Sequence, residues 1–413
     1  MNTKKFINST KKAGLAILLL AVISNPISAL SLTKKDSTNN QQNSKKNHPV
    51  ISAMEQVAQW QMDNISYTFE LPDGTVEPLL PNNWIRATFL SGMMALYEIG
   101  QDTSHLNFVK QQAEEVEFQL GDRERHADEH AIGKVYADLF LLSRDQYMID
   151  DMIETFDEII SEPSRGPVVG WSGEQNWSWC DAMFMAPPAW IKLYTCTGKR
   201  IYLNEMNEMF WETNNYLYSP EDSLYYRDGS YKWDENGNGR KTSSGKKIFW
   251  GRGIGWVIGG LAEMLTYMPG DFPDRPKYIQ LYKEMISKVA SLQAKDGMWR
   301  SSLYDFEEFP TVEMSASSFF CFGMAWGINH NILDPEEFAP KVEKAWAGMM
   351  KCIQENGKVG YVQRVGSDPR SVDKDDTMDY GPGAFLLAGK EVYELSQKGL
   401  IKLPKTKKFL GGS

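Results

Sequence analysis

The sequence predicts an all-α fold, an (α/α)6 barrel or six-hairpin toroid, with a few short strands carried in long loops. Three observations predict it. Apolar residues recur at helical spacing from about residue 50 to the end of the chain. The connections between those stretches alternate between short and long. No Pro/Ser-rich linker and no repeat of fixed period divides the chain.

The N-terminus stands outside that pattern. Lys4, Lys5, Lys11 and Lys12 precede an apolar run from Ala13 to Ile23, and the small residues Ser28 and Ala29 follow. Residues 1–29 therefore read as a secretory signal peptide, with an apolar run too short for the roughly 20 residues of a membrane span. An uncleaved membrane anchor is the alternative. No cysteine lies before Cys180, which excludes a lipoprotein anchor. Residues 30–49 are rich in Lys, Asn, Gln, Ser and Thr and read as a disordered leader. The rest, 50–413, is expected to form a single catalytic domain in an exported protein, periplasmic or extracellular and monomeric.

Helix candidates then follow in order: 51–64, 84–99, 105–120, 127–142, 146–160, 181–197, 200–216, 251–268, 275–294, 313–331, 335–354 and 382–396. The clearest apolar stripe is Ile254, Val257, Ile258, Leu261, Met264 and Leu265. Strand-like pieces lie between helices, at Ser66 to Glu70, Leu224 to Trp233, Met298 to Tyr304 and Gly360 to Val365. Connections 143–146 and 197–200 are tight, whereas 161–180 and 217–250 are long, aromatic and Gly-rich. Twelve helices pair into six hairpins whose long loops share one face, where binding residues are expected.

Composition narrows the chemistry. The net charge of −10 becomes −14 once residues 1–29, with four lysines and no acid, are removed. An acidic chain without a basic tract argues against nucleic acid, and an anionic substrate would need a local cationic site. Cys180, Cys196, Cys321 and Cys352 show no metal spacing, and the five histidines complete no zinc set. Free buried thiols are expected, with one or two disulfides as the alternative in an oxidising compartment. The 13 tryptophans suit a carbohydrate-handling protein, although a large core also uses them.

Three stretches concentrate reactive groups. In Trp177-Ser178-Trp179-Cys180-Asp181-Ala182-Met183-Phe184-Met185-Ala186-Pro187-Pro188, one carboxylate sits among aromatic and sulfur side chains. Burying an ionised Asp costs several kcal/mol without a partner, and desolvation raises its pKa toward what a general acid needs. A helix cap is the structural alternative. In His126-Ala127-Asp128-Glu129-His130-Ala131-Ile132-Gly133, two acids and two histidines open a helix. His126 and His130 resemble half a zinc site, but the stretch is not HExxH and lacks a third ligand; capping by Asp128 is the bland alternative. In Phe249-Trp250-Gly251-Arg252-Gly253-Ile254-Gly255-Trp256, glycines let the backbone pack closely around one guanidinium, a group that binds carboxylates by a bidentate fork. A structural Arg–Asp pair is the alternative.

Together these stretches resemble the unsaturated rhamnogalacturonyl hydrolases, glycoside hydrolase family 105. Ser318-Phe319-Phe320, Ala325-Trp326-Gly327-Ile328 and Tyr380-Gly381-Pro382-Gly383-Ala384 fit the same pattern, so the resemblance covers about residues 50–398. It implies an (α/α)6 barrel that removes a Δ4,5-unsaturated uronic acid, galacturonyl in type, from the non-reducing end of lyase-generated oligosaccharides such as rhamnogalacturonan fragments of pectin. The reaction implied is hydration of the C4=C5 double bond, with no cofactor or metal. By position Asp181 resembles the general acid/base and Asp128 the second essential carboxylate. Trp250, Arg252 and Trp256 would line the uronate and the following sugar, with His130 assisting and Trp84 and Trp179 also binding substrate. One departure stands out: some members carry a histidine where this chain reads Tyr226-Arg227-Asp228-Gly229-Ser230. Ile254 also replaces an expected Asn or Ala.

Two other readings fit the residues. A conventional inverting glycosidase would use Asp128 and Asp181 as base and acid about 6.5–9.5 Å apart. A non-catalytic periplasmic sugar-binding protein would use the Trp-rich clefts alone, although two acids oppose an anionic sugar unless one is protonated.

Overall fold

A computed structural model describes residues 48–71, 73–162 and 177–403. The signal peptide expected at 1–29 and most of the leader expected at 30–49 lie outside the described residues. Pro49 does not belong to a leader. It is the first residue of helix α1, Pro49–Asp63, where its missing N–H costs nothing, and the His48 ring caps the Val50 N–H.

The helices continue as α2 (Trp84–Gly100), α3 (Thr103–Glu115), α4 (Ala127–His130), α5 (Gly133–Ser143), α6 (Asp150–Ser161) and α7 (Ala182–Met185). After them come α8 (Pro187–Thr197), α9 (Arg200–Leu217), α10 (Gly251–Tyr267), α11 (Arg275–Ser291), α12 (Met314–Asn329), α13 (Pro335–Met349) and α14 (Tyr380–Gln397). Short polar side chains fix several starts: Asn83, Asp102 and Asp334 each accept a hydrogen bond from a first-turn N–H, a contribution of about 1 kcal/mol apiece.

Three expected helices are altered. The stretch 105–120 stops at Glu115 because Glu117 and Phe118 adopt positive φ, and the Phe118 N–H returns to the Ala113 carbonyl. The stretch 181–197 divides at Pro187, which has no N–H to continue the α7 turn. The stretch 127–142 likewise divides, at Ala131 and Ile132, where the N–H of Ala131 bonds Asp128 and that of Val135 bonds Ile132, three residues back.

Six helices close a ring by packing neighbour to neighbour: α2 on α5, α5 on α8, α8 on α10, α10 on α12, α12 on α14, and α14 on α2. Around them α1 packs on α14, α3 on α2, α6 and α9 on α8, α11 on α10, and α13 on α12. The chain alternates outer and inner helices, as expected for an (α/α)6 barrel. The α2–α14 crossing is tight enough to require glycine: a Cβ on Gly92 would lie 2.6 Å from the Gly383 carbonyl oxygen, and one on Gly383 would lie 2.4 Å from that of Thr88. The core is continuous and aromatic, with Trp190, Trp256, Trp299 and Trp326 all buried.

The loops that enter inner helices are long (64–83, 116–132, 162–186, 218–250, 292–313 and 350–379), and those that leave them are short. All six inner N-termini, with the described parts of the long loops that lead into them, therefore share one mouth of the barrel. Two hairpin-like pairs lie in these loops: β1 (Thr68–Glu70) with β2 (Val76–Pro78), and β3 (Tyr218–Ser219) with β4 (Leu224–Tyr225). The expected strands at 298–304 and 360–365 do not form. Their backbone instead makes isolated bridges, Trp250 with Ser302 and Arg300 with Val312, or bonds to helix caps such as Glu313. The four cysteines are free thiols. Among the described residues no helix is long and apolar enough to cross a membrane.

Candidate active site

The mouth at the inner N-termini holds a cleft of about 420 Å³. Helix N-termini carry partial positive charge, so this end favours an anionic ligand. Asp128 and Asp181 line the cleft, together with Trp84, Trp179, His126 and three guanidinium groups, those of Arg123, Arg227 and Arg370.

Asp181 immediately precedes α7. Its approach is held by the 226–228 loop: Trp179 bridges Asp228, and the Cys180 N–H donates to the Arg227 carbonyl at 2.8 Å. This pairing brings Arg227 to Asp181, with Nε 4.0 Å from Oδ2, while Arg227 Nη1 donates to Asp228 Oδ2 at 2.7 Å. The Cys180 thiol donates to Asp181 Oδ2 at 3.3 Å. Burial raises the Asp181 pKa, and the charges of Arg227 and Arg252 pull against that rise.

Asp128 lies in the first turn of α4, which His126 caps: Nδ1 accepts the Asp128 N–H at 3.3 Å. That same Nδ1 is 3.7 Å from Asp128 Oδ2. No ion pair forms there, because the Nδ1 lone pair is occupied and burial lowers the His126 pKa to about 3. The Trp179 ring lies against His126, centroids 4.7 Å apart. Asp128 has its pKa raised to about 7, first by burial and next by the negative charge of Asp181. Both carboxyls are thus held closer to their neutral forms than exposed ones would be, and the charge of Asp181 contributes to the rise at Asp128.

The other expected binding residues divide. Trp84 and Trp179 line the cleft, and Trp84 stacks on Tyr380 at 5.5 Å. His130, Trp250, Arg252 and Trp256 do not line it. His130 is turned into the core: Nδ1 accepts from Trp190 Nε1 at 3.2 Å, Nε2 donates to the Glu124 carbonyl at 2.7 Å, and burial lowers its pKa to about 4. Trp256 is fully buried among Trp84, Phe184, Phe319 and Tyr380. Arg252 is sandwiched between the Trp250 and Tyr380 rings, at 4.5 and 4.8 Å, and its fork is spent on backbone. Nη1 donates to the Gln363 carbonyl at 2.6 Å and Nη2 to that of Arg364 at 3.1 Å. Trp250 Nε1 donates to Gln363 Oε1 at 3.1 Å.

Sequence reasoning missed Arg123, Arg227 and Arg370 as the cations of the cleft. Only Arg227 had a signal, since it stands in the stretch where a histidine was expected. Among the described residues no group of three or more His, Cys, Asp or Glu side chains could hold a metal ion.

Residues 34–396 match the sequence model of Glycosyl Hydrolase Family 88. An unsaturated 3S-rhamnoglycuronyl hydrolase of Formosa agariphila is 36% identical over 330 residues, which are 77% of this chain and 86% of that protein. One of the same name from Alteromonas sp. (strain LOR) is 36% identical over 327 residues, 75% of this chain and 77% of its own length. A solved glycosyl hydrolase family 88 structure from Bacteroides vulgatus superposes with a TM-score of 0.74 at 27% identity, covering 84% of this chain and 98% of that one.

Proposed function

The chain belongs to Glycosyl Hydrolase Family 88 and is a hydrolase, and from that premise we propose that it removes a Δ4,5-unsaturated uronic acid from the non-reducing end of an oligosaccharide left by a polysaccharide lyase. One observation carries the reading: two coupled, poorly hydrated carboxylates share one cleft with three guanidinium groups. Such a pair can move a proton, and the cations offset the charge of a uronate.

The chemistry proposed is hydration of the enol ether. Substrate carboxylate binds beside Arg227, which relieves the pull of that guanidinium on Asp181 and lets a proton reside there. Asp181 gives the proton to C4, and positive charge develops at C5 and the ring oxygen. Water adds at C5 and loses its proton to the carboxylate pair. The hemiketal opens, leaving a hemiacetal at C1 that expels the rest of the chain as an alcohol. Asp128 holds the second proton position, and Trp84 and Trp179 supply aromatic faces for the sugar.

The double bond removes the C4 stereocentre that distinguishes galacturonate from glucuronate. Both therefore yield the same unsaturated ring, and galacturonyl selectivity must be expressed through the C1 linkage and the following sugar. The names of the Formosa and Alteromonas relatives support rhamnose as that sugar. Export of a monomer, directed by residues 1–29, completes the proposal.

The test is Asp181→Asn on a Δ4,5-uronyl-rhamnose disaccharide, followed as loss of the ultraviolet absorbance of the conjugated double bond. Turnover should fall by at least about a thousandfold with the fold intact. Release of a saturated uronic acid by the wild-type enzyme at a comparable rate would instead support an inverting glycosidase.

A further inference from the structure

We propose that Gln363 is a positioning residue that clamps the 364–371 loop, and that this loop grips the part of the substrate beyond the uronyl ring; the second half rests on the proposed chemistry of the cleft. Gln363 is 2% exposed, and every polar group it has is engaged. Its N–H donates to Glu313 Oε1 at 3.0 Å. Its carbonyl accepts from Arg252 Nη1 and from the Tyr380 hydroxyl, both at 2.6 Å. Its Oε1 accepts from Trp250 Nε1 at 3.1 Å, and its Nε2 donates to the Asp368 carbonyl at 2.8 Å.

The partners come from three inner helices. Trp250 and Glu313 are the N-caps of α10 and α12, Arg252 is in the first turn of α10, and Tyr380 begins α14. The loop is thus tied to the barrel at its start through Gln363 and at its middle through Asp368. A second tie holds its far end, where Ser301 Oγ donates to the Arg370 carbonyl at 2.8 Å.

What the clamp presents is the wall between two cavities. Val365, Gly366, Ser367 and Arg370 face the cleft with the two carboxylates. Val365 and Arg370 also line a neighbouring cavity of about 330 Å³, together with Gln363 itself, Arg364 and Ser371. Leu71 is common to both cavities. With the unsaturated ring at Asp181, the remaining sugar extends past this shared wall. Trp250 and Arg252, although they do not line the cleft, brace the gripping loop from behind.

The experiment compares Gln363→Met with wild type on a Δ4,5-uronyl disaccharide and on the Δ4,5-uronyl methyl glycoside, which has no second sugar. For the disaccharide KM should rise about tenfold, because Met abolishes both side-chain ties, the one from Trp250 Nε1 and the one to the Asp368 carbonyl, with kcat within about twofold. For the methyl glycoside, whose uronate meets the loop only through Arg370, KM should rise by no more than about twofold, with kcat and the pH profile unchanged. Ser301→Ala, a milder change at the other tie, should give the same selective rise in smaller measure. Hydrogen–deuterium exchange should quicken in 364–371 and stay slow in 126–130 and 179–182. Equal losses on both substrates, or unchanged exchange in 364–371, would overturn the clamp. Wild-type inactivity on both substrates would overturn the functional reading alone, since the exchange measurement still decides the clamp.

Discussion

Arg227 reaches Asp181 with its Nε, 4.0 Å from Oδ2, while its Nη1 is held by Asp228 at 2.7 Å. The guanidinium is therefore fixed by one carboxylate and directed at another. Its charge opposes the rise in the Asp181 pKa that burial causes. Arg227→Met should let that pKa climb further. If Asp181 acts as an acid, the alkaline limb of the kcat/KM profile should move to higher pH, and kcat/KM should fall about a hundredfold because the uronate loses a charged partner. An unshifted limb would remove Arg227 from the proton chemistry.

Asp128→Asn should be more stable than wild type at pH 8 although it loses turnover. The folded-state pKa, about 7, lies above the ordinary value of 3.8, so the folded protein binds more protons than the unfolded chain between those values. Stability from this group is present below about pH 4 and lost as pH rises to 7. The gain on removing the charge at pH 8 should be of order 1–3 kcal/mol, shrinking toward pH 4. Thermal melts across that range would show it, and a variant that melts lower than wild type at pH 8 would contradict it.

His130→Phe should lower the melting temperature and leave kinetics per folded molecule within about twofold. The ring bridges Trp190 and the Glu124 carbonyl, and Phe would leave the buried Trp190 N–H without its acceptor at a cost of about 1–3 kcal/mol. A large rise in KM without loss of stability would restore the role in substrate binding that sequence reasoning suggested.

Secretion of the full chain from a bacterial host should yield a mature protein beginning near residue 30, because Ser28 and Ala29 are the small residues that follow the apolar run. Intact mass of the secreted form would report the N-terminus, and recovery of uncleaved protein in the membrane fraction would oppose the reading.

Much of this architecture was legible because helical periodicity is strong in each hairpin, and because loops such as 217–250 are conspicuously long and aromatic. Asp181 stood out because its aromatic surroundings make an idle charge expensive, whereas Asp128 was set beside it by the family resemblance. What could not be read was which way a side chain turns once its helix is placed. Arg252 and Trp250 have the composition of a sugar site, yet both reach back to Gln363, a partner more than 100 positions away. Arg123 and Arg370 carry no local pattern at all; they meet the carboxylates only after distant loops converge. Helix boundaries failed where the deciding feature was a backbone conformation, such as the positive φ of Phe118.

Since every outer-to-inner crossing opens on the same rim, insertions there can change what the enzyme grips while the helices behind keep their spacing. Doubling the length of one such crossing costs only about 0.6 kcal/mol in closure entropy. The opposite rim, stitched by turns as brief as residues 198–199, has no comparable slack. New specificities on this scaffold should thus arise by remodelling one end, with the wall of helices inherited unchanged.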